Sequence, residues 1–141
     1  MIDINTSLLT AYYNAISTVN IPIYEGEEPD DVKDKIYAVL SDVINVESST
    51  SNSSDTSTTI QISVHSWEYK YNNSKALNEA CALIFQAVKP NSNAVLDLSA
   101  FGLQMMNLNV QTDRTDRYGE IGGKIFISRI LIFQQDIFVI S

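Results

Sequence analysis

The chain has one cysteine and one histidine, and this scarcity closes off most of the chemistry that a small domain can run. With Cys81 alone, no disulfide can form within the chain, which fits a reducing interior or an unstapled structural protein. Cys81 also falls on the apolar stripe of a predicted helix, where a thiol packs; a nucleophilic cysteine needs an exposed, electropositive setting instead. His65 and Cys81 lie on separate elements and meet no zinc-ligand spacing, so no metal and no cofactor is expected. No Gly-x-Ser-x-Gly elbow occurs, and no cysteine sits near a turn. His65 therefore lacks a sequence-visible nucleophile or carboxylate to work with, and it reads as a surface or interface residue.

Positive charge is also scarce. Nine Lys and Arg stand against seventeen Asp and Glu, for a net charge of −8. The basic residues form no run, which excludes tight nucleic-acid binding through clustered phosphate contacts. An acidic balance suits a protein that must not stick to polyanions. Long hydrophobic runs are missing too: 125–140 is apolar but is interrupted by Arg129, Gln134, Gln135 and Asp136, too short and too polar to span a bilayer. Met1-Ile2-Asp3-Ile4 shows no basic or apolar leader region, so no secretory signal is expected. No internal period is visible.

What is present is a strong local pattern. Over 59–88, Ile60, Ile62 and Val64 fall on one side of an alternating strand, with Gln61, Ser63 and His65 on the other. Leu77, Ala80, Cys81, Ile84 and Val88 then recur at helical spacing. Upstream, the pattern predicts a helix over 6–18 with Asn5 as N-cap, an Ile4–Leu9 staple and a stripe of Leu8, Leu9, Tyr12, Ile16 and Val19. Ile21–Tyr24 reads as an edge segment because Pro22 has no N–H to donate. One strand with a bulge or exposed position near Asp42 is predicted over 35–46. The Ser/Thr tract at 48–58 is predicted to be a mobile loop joining two strands, since small polar side chains cannot offset the entropy of ordering.

Downstream, 90–93 is a turn and 101–112 a strand. The apolar phase slips near Met105-Met106, which predicts a β-bulge there. Residues 113–123 read as a charged, glycine-ended loop before a last strand over 124–133, with 136–140 as a possible extension. The near-continuous apolar run 125–133 implies burial on both faces or packing on a partner. The order helix, three strands, helix, two strands predicts a single α+β domain spanning 1–141: a mainly antiparallel sheet of long hairpins with one face covered by two helices.

Four groups of residues stand out as candidates. Glu25, Glu27, Glu28, Asp30 and Asp31 sit in a dense acidic stretch; its glycine comes too early and its proline intrudes for a calcium loop, so a solvated or docking loop is favoured. Gly119, Gly122 and Gly123 precede a strand rather than a helix, so they fit a hairpin turn and not a phosphate cradle. His65, Trp67 and Tyr69 share one strand face, which calls for cover by a helix or by a neighbouring subunit. Arg114, Asp116, Arg117 and Glu120 put both charge signs on one segment, either a solvated hairpin tip or a loop that sets register between subunits.

The order of elements, with the Pro22–Tyr24 edge segment, the strand at Ile36–Leu40, the SVHSWEY strand, the ALNEACALIFQAV helix and the closing strand pair, resembles the tail terminator (tail completion) proteins of long-tailed bacteriophages. The resemblance spans most of the chain and is closest at Val64–Tyr69 and the helix after it. This chain departs from the family in having Asp34-Lys35 where a proline commonly introduces the next strand, and in its longer Ser/Thr tract. The resemblance implies a virion protein, not an enzyme. It would form a homo-oligomeric ring, usually sixfold, at the head-proximal end of the tail tube, assembled in the host cytoplasm. Its partners would be its own copies, the tail tube protein and a head-completion or neck protein. DNA would pass through without specific binding, and no membrane is involved. The interface candidates are then His65, Trp67, Tyr69, Arg114, Asp116, Arg117 and Glu120, and the acidic stretch would line the lumen or face the docking partner. Two alternatives stay open: another head–tail neck or adaptor protein, and a small enzyme or ligand-binding domain with His65, Trp67 and Tyr69 lining a pocket.

Overall fold

The computed structural model describes residues 4–26, 36–41, 43–47, 55–69 and 74–140. Among the described residues two α-helices, α1 (Ile4–Ile16) and α2 (Lys75–Val88), and a short 3-10 turn at Ser99–Phe101 accompany six strands: β1 (Ile23–Glu25), β2 (Ile36–Leu40), β3 (Ile44–Glu47), β4 (Asp55–Tyr69), β5 (Leu103–Ile121) and β6 (Lys124–Val139). The strands form one mixed sheet in the order β1-β2-β4-β6-β5, with β3 also paired to β4. Among the described residues only β1–β2 is parallel; every other pairing is antiparallel.

Alternation along β4 produces the core. Ile60, Ile62 and Val64 are buried on one face, as their spacing predicts, and join Leu131 and Phe133 of β6 in one apolar cluster. Both helices lay their stripes on this face: Leu8, Tyr12 and Ile16 from α1, and Leu77, Ala80, Cys81, Ile84 and Val88 from α2, belong to the same cluster. The Tyr12 and Phe85 rings both pack on the Phe133 ring, each with centroids 5.9 Å away. Glu68, buried under the start of α2, accepts the Ala76 N–H at 2.9 Å and so caps the helix from the sheet.

Several expectations are corrected. Asn5 lies inside α1, so it is not the N-cap. The single strand expected over 35–46 is two strands, β2 and β3, which both run along β4; Asp42, where a bulge or exposed position is expected, lies outside the described residues. The expected loop 48–58 overruns the next strand: Asp55–Thr58 pair with β6, and Thr56–Thr58 with β3 as well, where Thr side chains suit a strand held on two sides. The remainder of that tract, 48–54, lies outside the described residues. The largest correction concerns 113–123, which is not a loop. β5 continues through it to Ile121, and the chain turns only at Gly122-Gly123, whose φ values of 59° and 81° provide the left-handed pair of a two-residue hairpin. The bulge expected at Met105-Met106 lies just beyond, between Met106 and Asn109, with Asn107 at φ 56°. There the buried phase moves from Leu103 and Met105 to Leu108, while Met106 and Val110 are exposed. The final strand runs on to Val139 without a break at Phe133.

Beneath α1 the core contains a polar chain. The Tyr12 hydroxyl donates to Gln135 Oε1 at 2.5 Å, and Gln135 Nε2 donates to the Thr58 carbonyl and hydroxyl at 3.2 and 2.6 Å. All three residues are fully buried, and burial pushes the Tyr12 phenol well above its usual range. The chain ties α1, β4 and β6 together at one register. Tyr12→Phe leaves Gln135 Oε1 without its donor and is expected to cost about 1–3 kcal/mol. Urea unfolding checks this, and the additional replacement Gln135→Leu should cost less in the Tyr12→Phe variant than in the native protein.

Candidate functional site

The helices cover one face of the sheet, and alternation puts a row of rings on the other. Tyr24 of β1 meets Tyr37 of β2 edge-on, with centroids 5.9 Å apart. Tyr37 packs on His65 at 5.0 Å, and His65 stacks on Phe126 of β6 at 5.7 Å with an interplanar angle of 5°. Phe126 also packs on Trp67 at 5.1 Å. Register explains these meetings, since Tyr37 lies opposite His65, His65 opposite Ser128, and Trp67 opposite Phe126. Trp67 is 37% exposed. Both helices pack on the opposite face, and the exposure of the row is greatest at Trp67, while Tyr37 is buried.

The structure brings His65 and Trp67 together and adds Tyr24, Tyr37 and Phe126, which the sequence does not connect to them. Tyr69 stands two residues on along the same strand face; its side chain lies outside the described residues. The charged group is divided by the pleat. Asp116 lies opposite Ser128 and Arg114 opposite Ile130 on the ring-bearing face, where Arg114 Nε meets Asp116 Oδ2 at 3.2 Å. Arg117 lies opposite Ile127 on the helix side. There it lines, with Ser74, Asn78, Thr115 and Asp116, a cleft at the start of α2. Glu120 pairs with Ile125 through the backbone, and its side chain is outside the described residues, as are Glu27, Glu28, Asp30 and Asp31. Glu25 ends β1 and is exposed.

His65 does have a partner that the sequence conceals: its Nδ1 and the Ser128 hydroxyl share a hydrogen bond of 2.6 Å. A nucleophilic serine beside a histidine base must also be reachable by substrate. Ser128 is 1% exposed, so this bond fixes the imidazole in its stack and offers no attacking oxygen. Cys81 is equally withdrawn, and burial pushes its thiol up to about 11 against the opposing pull of Arg129.

On the helix side, Arg129 locks α2 to the outer hairpin. Its guanidinium donates to both carboxylate oxygens of Asp113 at 2.8 and 2.7 Å and to Asn78 Oδ1 at 3.1 Å, and it sits 5.7 Å from the Phe85 ring centroid. The bidentate pair holds the Asp113 carboxyl below the usual carboxylate range.

No family model matches the sequence, and no curated protein matches it. Solved structures do match in fold. One is a chain of the virion of a native gene transfer agent particle, with a TM-score of 0.63 over 93% of this chain and 94% of that chain, at 17% identity.

The Arg129–Asp113 geometry makes a pH prediction. Because the folded Asp113 pKa is depressed, its contribution to stability is present above the unfolded value of about 4 and is lost as pH falls through the folded value. Asp113→Asn should therefore lower the melting temperature at pH 6 and shrink the acid-induced loss below about pH 4. Thermal melts of both proteins from pH 6 to about pH 2.5 check this.

Proposed function

We propose that this chain is a virion structural protein. In this reading it is a tail terminator, whose copies form a ring on the head-proximal end of the tail tube, stop tube polymerisation and present a docking face to the head-completion protein. The observation that carries the reading is the two-way fold match to a virion chain, which takes in nearly the whole of both molecules and so concerns the whole architecture. Two physical features support it. The aromatic row ends at the half-exposed Trp67, packed on Phe126, and such rings are what an assembly buries at the core of a contact. A heterologous contact closes into a ring when its rotation closes. The net charge of −8 suits a conduit through which DNA slides, because a wall short of Lys and Arg gives the phosphates nothing to hold.

His65, Trp67 and Tyr69, with Arg114 and Asp116 at the margin, are the proposed subunit contacts on the ring-bearing face. Arg117 and Glu120 belong to the same strand and would act at its edge. Glu25, Glu27, Glu28, Asp30 and Asp31 are assigned to the lumen or to the docking face. The protein functions in the virion after assembly in the host cytoplasm.

Sedimentation and electron microscopy of the purified chain, alone and with tail tube protein, test this reading. The expected outcome is a closed ring with a mass near six times the 15.7 kDa of the chain, bound at one end of tubes whose growth then stops. A chain that stays monomeric and never associates with tube ends contradicts the reading. One that binds the head-completion protein but not the tube belongs to another position in the neck.

A further inference from the structure

A ring built by a repeated head-to-tail contact needs two different surfaces on each copy, and the aromatic row supplies one of them. The second has to be apolar at its centre, exposed on the far side of the molecule, and matched in shape and charge to the first.

The outward side of α2 meets these conditions. Leu83 projects away from the core and is 54% exposed, the highest value among the large hydrophobic residues described on either helix. Exposed Ala82 beside it leaves the helix surface low and flat. Glu79, also exposed, lies one turn before Leu83 on the same stripe, about 6 Å away along the helix. On the sheet, Trp67 and Phe126 form the apolar end of the ring row. Lys124 stands on that same face two residues before Phe126, about 7 Å along the strand, opposite Tyr69. The two surfaces thus carry an apolar group followed, at nearly equal spacing, by charges of opposite sign. Helix on sheet is also how the core of this protein is closed, with α2 lying over β4 and β6 from the other side.

We infer that the occupant of the ring-bearing sheet face is α2 of a second copy of this chain, with Leu83 of one copy set on Trp67 and Phe126 of the next and Glu79 paired with Lys124. The inference rests on the proposed ring and names the contact that builds it. Each copy covers the Trp67 end of its neighbour's ring-bearing face with its own α2. The contact joins unlike surfaces, so it propagates around the ring.

Charge reversal and mixing test this. Leu83→Arg lies on an exposed helical surface and should leave the melting temperature of the dissociated chain unchanged while weakening assembly at least tenfold in sedimentation velocity. Trp67→Arg, which also loses the packing on Phe126 and so lowers the melting temperature, should weaken assembly equally from the other surface in a chain that circular dichroism shows to be folded. Mixed in equal amounts, the two variants retain one good pairing between them, so dimers should form while rings do not. Glu79→Lys and Lys124→Glu should each weaken assembly, and the double reversal in one chain should restore rings. If native rings form but Leu83→Arg assembles normally, or the double reversal stays as weak as the single ones, the α2-to-sheet contact is wrong while the ring stands. If the mixture of Arg variants gives no dimers although each variant is folded, or if either variant dimerises on its own because the contact joins like surfaces, the inference fails. A native chain that forms no rings overturns both the ring and this contact.

Discussion

The register of β6 is the constraint on which the rest of the structure depends. This strand pairs along nearly its full length with β4 on one side and β5 on the other. A slip of one residue would turn Ile127, Leu131, Phe133 and Ile137 out of the core and drive Phe126 and Ile132 into it. Two polar side chains also hold the register. Gln135 reaches into the apolar core to bind both Tyr12 and Thr58, and Arg129 leaves the same face further along to hold Asp113 and Asn78. A slip of two residues would keep Gln135 on the core face but part it from Tyr12 and Thr58, leaving a buried amide without these partners at a cost of about 1–3 kcal/mol. The apolar alternation thus opposes the one-residue slip, and the polar partners oppose the two-residue one.

The same register builds the opposite face. With Ser66 opposite Ile127 on the core side, His65 and Ser128 must meet on the other side, as must Trp67 and Phe126. The ring row is thus the reverse side of the core packing. Its rings are ordered before any contact with another molecule, which lowers the side-chain entropy lost on association. This pre-ordering is what separates the row from a scatter of exposed apolar residues, such as Ile44 or Val95, that any monomer surface carries.

Much of the fold was legible in the sequence wherever one face was buried and the other was not. The β4–α2 unit shows this best, because Ile60, Ile62, Val64 and the α2 stripe alternate or repeat cleanly. Legibility failed where tertiary pairing decides the structure. Asp55–Thr58 and Asp113–Ile121 look like loops because their side chains are small, polar or charged, yet each segment is held in a ladder by a neighbouring strand. Polar residues suit β5 for a further reason: it is the edge of the sheet, where charge guards against unwanted pairing. The candidate face was only half legible. Alternation put His65 and Trp67 together, but Tyr37, Phe126 and Ser128 come from strands far away in sequence, and only the register joins them. Charge spacing likewise gave no hint that the pleat would send Arg114 and Arg117 to opposite faces.

Trp67 is the only tryptophan of the chain, so its fluorescence reports on the ring-bearing face without interference. The central claim is that this face is closed by assembly. Emission and acrylamide quenching, followed from dilute monomer to assembled protein, measure that closure directly. The account predicts a blue shift and a several-fold fall in quenching that track the rise in mass. A Trp67 as open to quencher in the assembled state as in the monomer would contradict it.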